Sequence, residues 1–391
     1  MKNLKRCLDL YLPIGQSSFL WGARKTGKST YLKQTYPNSL YFDVLLSEVY
    51  YQFLETPQFL RQELMLLPES QRMSPVIIDE IQKVPLLLDE IHWMIENLKP
   101  LSFILCGSSS RRLRKEGVNL LGGRAWRHTF MPLIFPELPF FDLIHIFKTG
   151  LLPAHFLSPT TAINSIKSYV QGYLIQEIQF EGSVRNLKAF IRFLELMAST
   201  HGELINYANI ARDCGVDAKT IKGYFEILEE MFLGTFVDVF SDKPGRHLMT
   251  AHPRFYFFDV GIANFLCGRS INNLRGSDAG RAFEHYLFYE LNAYRYRKEK
   301  EYDLQTWRTK SGLEVDFILD RGRVAIESKM TTAVQKKDLI GLLEFHKLGF
   351  KTDLYIVCLE PRPRLITIDN VPIRVYPIKH FLEKLWMNEI L

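Results

Sequence analysis

Gly22, Gly27, Lys28 and Ser29 in "GARKTGKST" stand at the spacing G-x-x-x-x-G-K-[ST]. Glycines at these positions let backbone N–H groups close around phosphate oxygens, and a helix starting at Lys28 adds its N-terminal dipole. The pattern has Lys28 reach the β- and γ-phosphates and the Ser29 hydroxyl ligate Mg²⁺, while Ala23, Arg24, Lys25, Thr26 and Thr30 complete the loop. Further on, the apolar run of "SPVIIDEIQKVP" ends in two acids. Asp79 is placed to help hold Mg²⁺ through water, and Glu80 to polarise an attacking water. At the polar end of "ILCGSSS", Ser108 and Ser109 either set a hydroxyl near the γ-phosphate or cap the next helix. Arg124 follows the glycine pair of "LGGR". It has the type of an arginine that stabilises transition-state charge on a neighbouring subunit, and equally that of an ordinary surface arginine.

A second constellation sits in "EVDFILDRGRVAIESKM". Residues two apart in a strand share a face, so Glu314 joins Asp316 and Glu327 joins Lys329 on one side of a hairpin. Carboxylates on adjacent strands suit Mg²⁺ beside a scissile phosphate, with Lys329 orienting the attacking water. Glu284, on the preceding helix, is a further candidate ligand. The same spacing also suits the solvated face of an edge hairpin. Lys219 and Lys222 project from a predicted recognition helix toward DNA phosphates, or lie on a wet helix face.

These side chains need elements to hold them. "FLW" before the glycine loop and "VII" before Asp79 read as buried strands of an open parallel sheet, with ligands at their C-terminal ends. The proline-rich "PELPFFDLIHIFKTGLLPAHF" marks an exit from that domain. "GELINYANIARDCGVDAKTIKGYFEILEEMFLGTFVDVF" reads as helix, glycine-containing turn, helix and strand, the order of a winged helix-turn-helix. Around the hairpin the order is helix ("AGRAFEHYLFYELNAYR"), three strands, helix and strand.

The 391 residues are 47% hydrophobic and 24% charged, an ordinary globular composition. A net charge of +6 permits an anionic partner without naming one. Five scattered cysteines, with no C-x-x-C pair, speak against a disulfide framework or a zinc site. Asp9 and Pro13 interrupt the segment a signal peptide would need, and no apolar run is long enough for a membrane helix. A cytoplasmic protein is expected.

Taken together, "GARKTGKST", "VIIDEIQKVP", "ILCGSSS", "LGGR…MPLIFPEL", "RFYFFDVGI", "GRAFEHYLFYEL" and "GLEVDFILD…AIESK" resemble a prokaryotic AAA-type P-loop ATPase family. Its members are fused to a C-terminal domain of unknown function, with a winged helix and a PD-(D/E)XK nuclease-like module. The resemblance implies an α/β fold in four parts. These are a P-loop ATPase domain with a parallel sheet at residues 1–140, a helical connector at 141–185, a winged-helix-like domain at 186–260 and a restriction-endonuclease-like α/β module at 261–391. By resemblance, Lys28, Ser29, Asp79 and Glu80 match nucleotide and Mg²⁺ positions, and Arg124 matches the arginine of the "GR" motif. A homo-oligomeric ring is implied, a hexamer being one expected size. In "ESK" Ser328 departs from the pattern and is expected to face away from the acids.

The expectation is a Mg²⁺-dependent ATPase that couples hydrolysis to binding or remodelling of DNA, branched or single-stranded. Two alternatives stay open: an ATP-regulated, Mg²⁺-dependent nuclease, and a regulator in which ATP switches a protein-binding C-terminal half.

Overall fold

The computed structural model describes residues 4–10, 12–115, 121–182, 184–241, 253–297 and 302–391. Two compact units divide the chain. The first comprises Met1–Leu133, Leu174–Arg185 and Phe225–Leu233, and the second Ile134–Tyr173, Asn186–Tyr224 and Gly234–Leu391.

In the first unit, strands β1 (Ser17–Trp21), β2 (Tyr41–Asp43), β3 (Val76–Asp79), β4 (Phe103–Gly107) and β5 (Ala125–Thr129) are all paired in parallel, in the order β2-β3-β4-β1-β5. Helices α1 (Lys28–Thr35), α2 (Ser47–Glu55), α3 (Gln58–Met65), α4 (Leu87–Asn97) and α5 (Arg111–Lys115) alternate with them. The apolar runs have a simple cause. Phe19, Trp21, Ile78, Phe103 and Leu105 enter one core, while Leu20, Ile77, Ile104 and Cys106 enter another with Tyr31 and Leu32 of α1. Successive residues of one strand serve opposite faces, so both must be apolar. Parallel pairing also brings the ends of β1, β3 and β4 to one edge, and that edge carries the glycine loop, the two acids and Ser108.

The chain continues through α6 (Leu143–Thr149), α7 (Pro153–Phe156), α8 (Ala162–Ser168) and α9 (Ile175–Gly182), of which α9 belongs to the first unit. Helices α10 (Leu187–Ser199), α11 (Tyr207–Cys214) and α12 (Ala218–Glu230) follow. Helix α11 ends at Gly215, whose φ of 69° completes a left-handed cap before α12 begins. The helix, glycine turn, helix and strand order expected there is present. Ile205 and Ile210 are buried, and Lys219 and Lys222 are exposed on α12.

The second unit is organised on an eight-stranded mixed sheet, in the order β12-β13-β11-β10-β9-β8-β6-β7. Its strands are β6 (Gly234–Val239), β7 (Arg254–Phe257), β8 (Leu304–Arg308), β9 (Glu314–Leu319), β10 (Val324–Ser328), β11 (Asp353–Cys358), β12 (Arg364–Ile368) and β13 (Val371–Pro377). Helices α13 (Val260–Leu266), α14 (Gly276–Arg297), α15 (Ile340–His346) and α16 (Ile378–Trp386) complete it. The run α14, β8, β9, β10, α15, β11 reproduces the element order expected around the hairpin. Val315, Ile318, Ala325, Leu354 and Ile356 pack with Leu339, Leu342 and Phe345 in one core. The five cysteines are free, and among the described residues no helix is long and apolar enough to cross a membrane.

Candidate active site

The glycine loop leaves β1 at Gly22 and enters α1 at Lys28. Gly27 sits at the helix N-cap with φ 100°, no side chain caps the helix, and its first turn holds no acid. The first N–H groups therefore stay clear of competing side-chain acceptors, as an anion site requires. Gly22 has a different task. A Cβ there would lie 2.3 Å from the Phe130 carbonyl oxygen, so close approach to the end of β5 is what excludes larger residues. The Lys28 ammonium donates to the carbonyls of Gly22 at 2.7 Å and Ala23 at 3.0 Å, which holds it inside the loop. Thr26 donates its hydroxyl to Ala23 O at 2.9 Å, and Lys25 and Thr30 are exposed. Arg6, which the motif does not include, donates to Thr26 O and Met131 O, both at 2.7 Å, and lies over the Phe130 ring.

Asp79 ends β3 with both oxygens engaged. The Ser29 hydroxyl donates to Oδ2 at 2.6 Å, the Tyr41 phenol donates to the same oxygen at 2.5 Å, and the Glu80 amide donates to Oδ1 at 3.1 Å. Burial, reinforced by the Asp79 charge, pushes the Tyr41 phenol well above its ordinary range and keeps it a donor. A hydroxyl and a carboxylate in contact beside a helix N-terminus are the hard-oxygen donors that Mg²⁺ takes, so these residues fit the ion.

Glu80 takes a left-handed backbone conformation, φ 61° and ψ 42°, unusual for a residue with a side chain. Its Oε2 accepts from the Gln82 amide at 2.5 Å and from the Ser108 hydroxyl at 3.2 Å, and Gln82 also donates to Ser108 at 3.0 Å. Ser108 further reaches Glu177 Oε1 on α9 at 3.4 Å, and Arg24 of the loop pairs with that oxygen at 3.3 Å. The two serines differ in their contacts. Ser108 faces Glu80, while Ser109 accepts from the Arg111 amide at 3.2 Å and caps α5. Arg124 is not brought to this edge. It precedes β5 at the end where Ser17 pairs with Ala125, remote from the loop that follows Trp21, and it is paired with Glu96.

Residues 15–139 match the family model of an AAA domain. The match supports a P-loop ATPase, and the residues of this edge lie within the matched segment, apart from Arg6 and Glu177. Residues 141–273 match a Domain of unknown function (DUF8612), and residues 279–379 a Domain of unknown function (DUF4143). The chain is 21% identical over 63% of its length to the Uncharacterized protein Rv2008c of Mycobacterium tuberculosis, and spans 56% of that relative. It is 22% identical to the Uncharacterized protein MJ1544 of Methanocaldococcus jannaschii, over 81% of this chain and 75% of that one. Among solved structures, the Walker-type ATPase PABY2304 of Pyrococcus abyssi is similar at a TM-score of 0.42 and 14% identity, covering 64% of this chain and 90% of that one.

The hairpin forms its own polar centre in the DUF4143 region. The β9–β10 ladder pairs Ile326 with Phe317, which sets Asp316 against Glu327, and the Asp316 amide donates to Glu327 Oε2 at 3.3 Å. Lys329 pairs with Glu327 Oε1 at 2.5 Å. Contrary to expectation, Ser328 turns toward the acids. Beyond the last paired position of the ladder, its amide and hydroxyl both reach Asp316 Oδ2, at 2.8 and 2.6 Å. Arg254 of β7 enters the same centre, with Nη2 2.9 Å from Glu314 and Nη1 3.3 Å from Glu284 and 4.0 Å from Asp316. Tyr256 donates to Glu284 Oε1 at 2.6 Å. Burial and the Asp316 charge push the Glu284 and Glu327 carboxyls up, against Arg254 and Lys329 respectively. Burial opposes the charge of Arg254, but Tyr256, Glu284, Asp316 and Glu314 outweigh it and hold the guanidinium firmly protonated. Among the described residues, no group of three or more His, Cys, Asp or Glu side chains is arranged to hold a metal ion.

Tyr41, Gln82, Glu177, Arg6 and Arg254 were not singled out from the sequence. Gln82 stood two residues beyond Glu80 in a run already marked, and Arg254 was the single charge in an aromatic strand, "RFYF". Those were readable signals. Glu177 and Arg6 are distant in sequence and carry none.

Proposed function

We propose that the chain is a Mg²⁺-dependent ATP hydrolase that works on DNA. The observation that carries the hydrolase reading is the convergence of Lys28, Ser29, Asp79, Glu80 and Ser108 at one sheet edge, with every one of these side chains held by a named partner. Ser29 and Asp79 would hold Mg²⁺, which supplies charge neutralisation between the phosphates when bound. Lys28 exchanges the Gly22 and Ala23 carbonyls for phosphate oxygens. Glu80 takes a proton from the attacking water as the water oxygen bonds to the γ-phosphorus and the bond to the β–γ bridging oxygen breaks, giving ADP and phosphate. Gln82 and Ser108 fix the Glu80 carboxylate for that task. Arg124, exposed and remote from its own loop, is placed by this reading against a neighbouring protomer's nucleotide in a homo-oligomeric ring.

Lys28→Ala and Glu80→Gln test the assignment through phosphate release and binding of a fluorescent ATP analogue. Lys28→Ala loses both, and Glu80→Gln loses turnover while still binding. Undiminished phosphate release in both purified variants defeats it.

The DNA reading is supported by Lys219 and Lys222, exposed on the second helix of a helix–turn–helix, and by the net positive charge. A gel-shift series with linear, forked and four-way DNA, with and without ATP, tests it. The expected shift weakens with salt and with Lys219→Ala/Lys222→Ala, and no shift with any form at low salt rejects DNA as the partner.

A further inference from the structure

The acids of the hairpin have the types and strand spacing of a metal-dependent phosphodiesterase centre, yet a buried arginine stands among them. Arg254 is 5% exposed and reaches Glu314, Glu284 and Asp316 from a third element, β7. Around it further donors engage several of the acid oxygens. Tyr256 donates to Glu284, the Ser328 amide and hydroxyl take Asp316 Oδ2, Lys329 takes one Glu327 oxygen, and the Asp316 amide takes the other. Arg308 adds a second guanidinium 3.8 Å from Glu314.

We infer that Arg254 takes the place of the divalent cation here, so that the centre is a metal-free junction of β7, α14 and β9 neutralised by arginine. The donor set does not fit Mg²⁺ while that side chain is present. An ion bound by Asp316 and Glu284 would face the guanidinium across a few ångströms of buried, low-dielectric space, where like charges repel strongly. Expelling Arg254 does not resolve the conflict. The side chain is buried on β7, the strand at one end of the sheet, and stripping a buried charge of its partners is itself strongly unfavourable. Mg²⁺ also demands near-octahedral oxygen coordination and gives up its waters reluctantly, which favours open carboxylates over engaged ones. A guanidinium, with five donors in a plane, instead satisfies several carboxylates at once and never loses its proton.

The test is Mn²⁺ binding to the full chain without nucleotide, read by electron paramagnetic resonance, with Fe²⁺-generated hydroxyl-radical cleavage locating any bound ion on the backbone. Wild type and Asp316→Asn are expected to bind the same number of Mn²⁺ equivalents, with no cleavage near Glu314–Lys329. Arg254→Gln is expected to gain one equivalent, with new cleavage at the hairpin, and Arg254→Gln/Asp316→Asn to lose it again. A wild-type equivalent that disappears in Asp316→Asn overturns the inference. So does a folded Arg254→Gln chain, judged by an unchanged circular dichroism spectrum, that gains nothing. Should Arg254→Gln fail to fold, the comparison of wild type with Asp316→Asn still decides, because neither protein alters the arginine.

Discussion

The Ser29 hydroxyl donates a 2.6 Å hydrogen bond to Asp79 Oδ2, tying the start of α1 to the end of β3. Strand β4 lies between β1 and β3 in the sheet, so this contact crosses above an intervening strand. Both atoms are the oxygen donors that Mg²⁺ takes in the reading above. Ser29→Ala and Asp79→Asn are each expected to raise the Mg²⁺ concentration needed for half-maximal phosphate release by about tenfold or more, since each removes one ligand or its charge. A Mg²⁺ titration of ATPase activity checks this, and an unchanged midpoint in both variants counts against the pair as the ion's anchor.

Gly22→Ala places a methyl group 2.3 Å from the Phe130 carbonyl oxygen, so the loop or the end of β5 must shift. The expected cost is about 1–3 kcal/mol of stability. Nucleotide affinity falls with it, because the displaced backbone is the one that faces phosphate. Urea unfolding and binding of a fluorescent ATP analogue measure the two effects on one preparation.

Gln82 is fully buried and donates to both Glu80 and Ser108, yet it is not expected to touch nucleotide. It acts as a positioning residue for the Glu80 carboxylate. Gln82→Ala is therefore expected to lower kcat by up to about a hundredfold, with KM and analogue binding little changed. Gln82→Glu would set a second carboxylate against the first and should shift the pH–rate profile, an outcome that a purely structural role does not produce. Equal losses in binding and turnover would assign Gln82 to loop stability instead.

Glu290 on α14 is fully buried, accepting from the Phe135 amide at 3.0 Å and the Trp386 indole at 2.9 Å. Burial pushes its carboxyl up to about 8, the hydrogen bonds from Trp386 and Phe135 oppose this, and the Glu137 charge adds to it. In the unfolded chain the group titrates at its ordinary value of 4.5. Between those limits the folded protein holds a proton that the unfolded chain releases. The contribution is thus complete below 4.5 and is lost as pH rises through 8. Glu290→Gln removes the dependence. Its stability relative to wild type should climb by up to about 1.4 kcal/mol per pH unit across this window, as followed by denaturant unfolding. A difference that stays flat with pH would show that the carboxyl is ionised in the fold.

His285 works in the opposite sense. Its Nε2 meets the Phe257 carbonyl at 2.6 Å, its ring lies 4.5 Å from that of His201, and burial pushes it down to about 4. The unfolded chain takes up this proton first on acidification. Stability is full above the ordinary value of 6.5 and is lost as pH falls through 4. His285→Gln should flatten this acid limb. A wild-type acid limb unchanged by the substitution would assign it to other groups.

Much of the first unit was legible because its constraints are local. Glycine, lysine and serine at fixed spacing declare a phosphate loop, and an apolar run ending in Asp79 and Glu80 declares a strand whose end meets it. Serines at the end of β4 were legible as a place but not as roles, since only the turn after Gly107 decides that Ser108 faces Glu80 and Ser109 caps α5. The hairpin was legible as two same-face pairs, and the helix–strand order around it was readable from periodicity. Its charge balance was not, because the guanidinium comes from β7, far earlier in the chain.

Single segments of the chain supply the available atoms: a loop of unhindered N–H groups, two acids at a strand end, and acids alternating along a hairpin. Periodicity and spacing are properties of one segment, and one segment is enough to state them. The tertiary structure decided which partners those atoms meet. Tyr41 reaches Asp79 because β2 and β3 pair in one sheet, the tight turn after β3 brings Gln82 onto Glu80, and Arg254 reaches the hairpin acids from β7, with β8 and β6 lying between it and β9. A carboxylate's chemistry depends on its nearest charges and donors, and in this protein folding chose them.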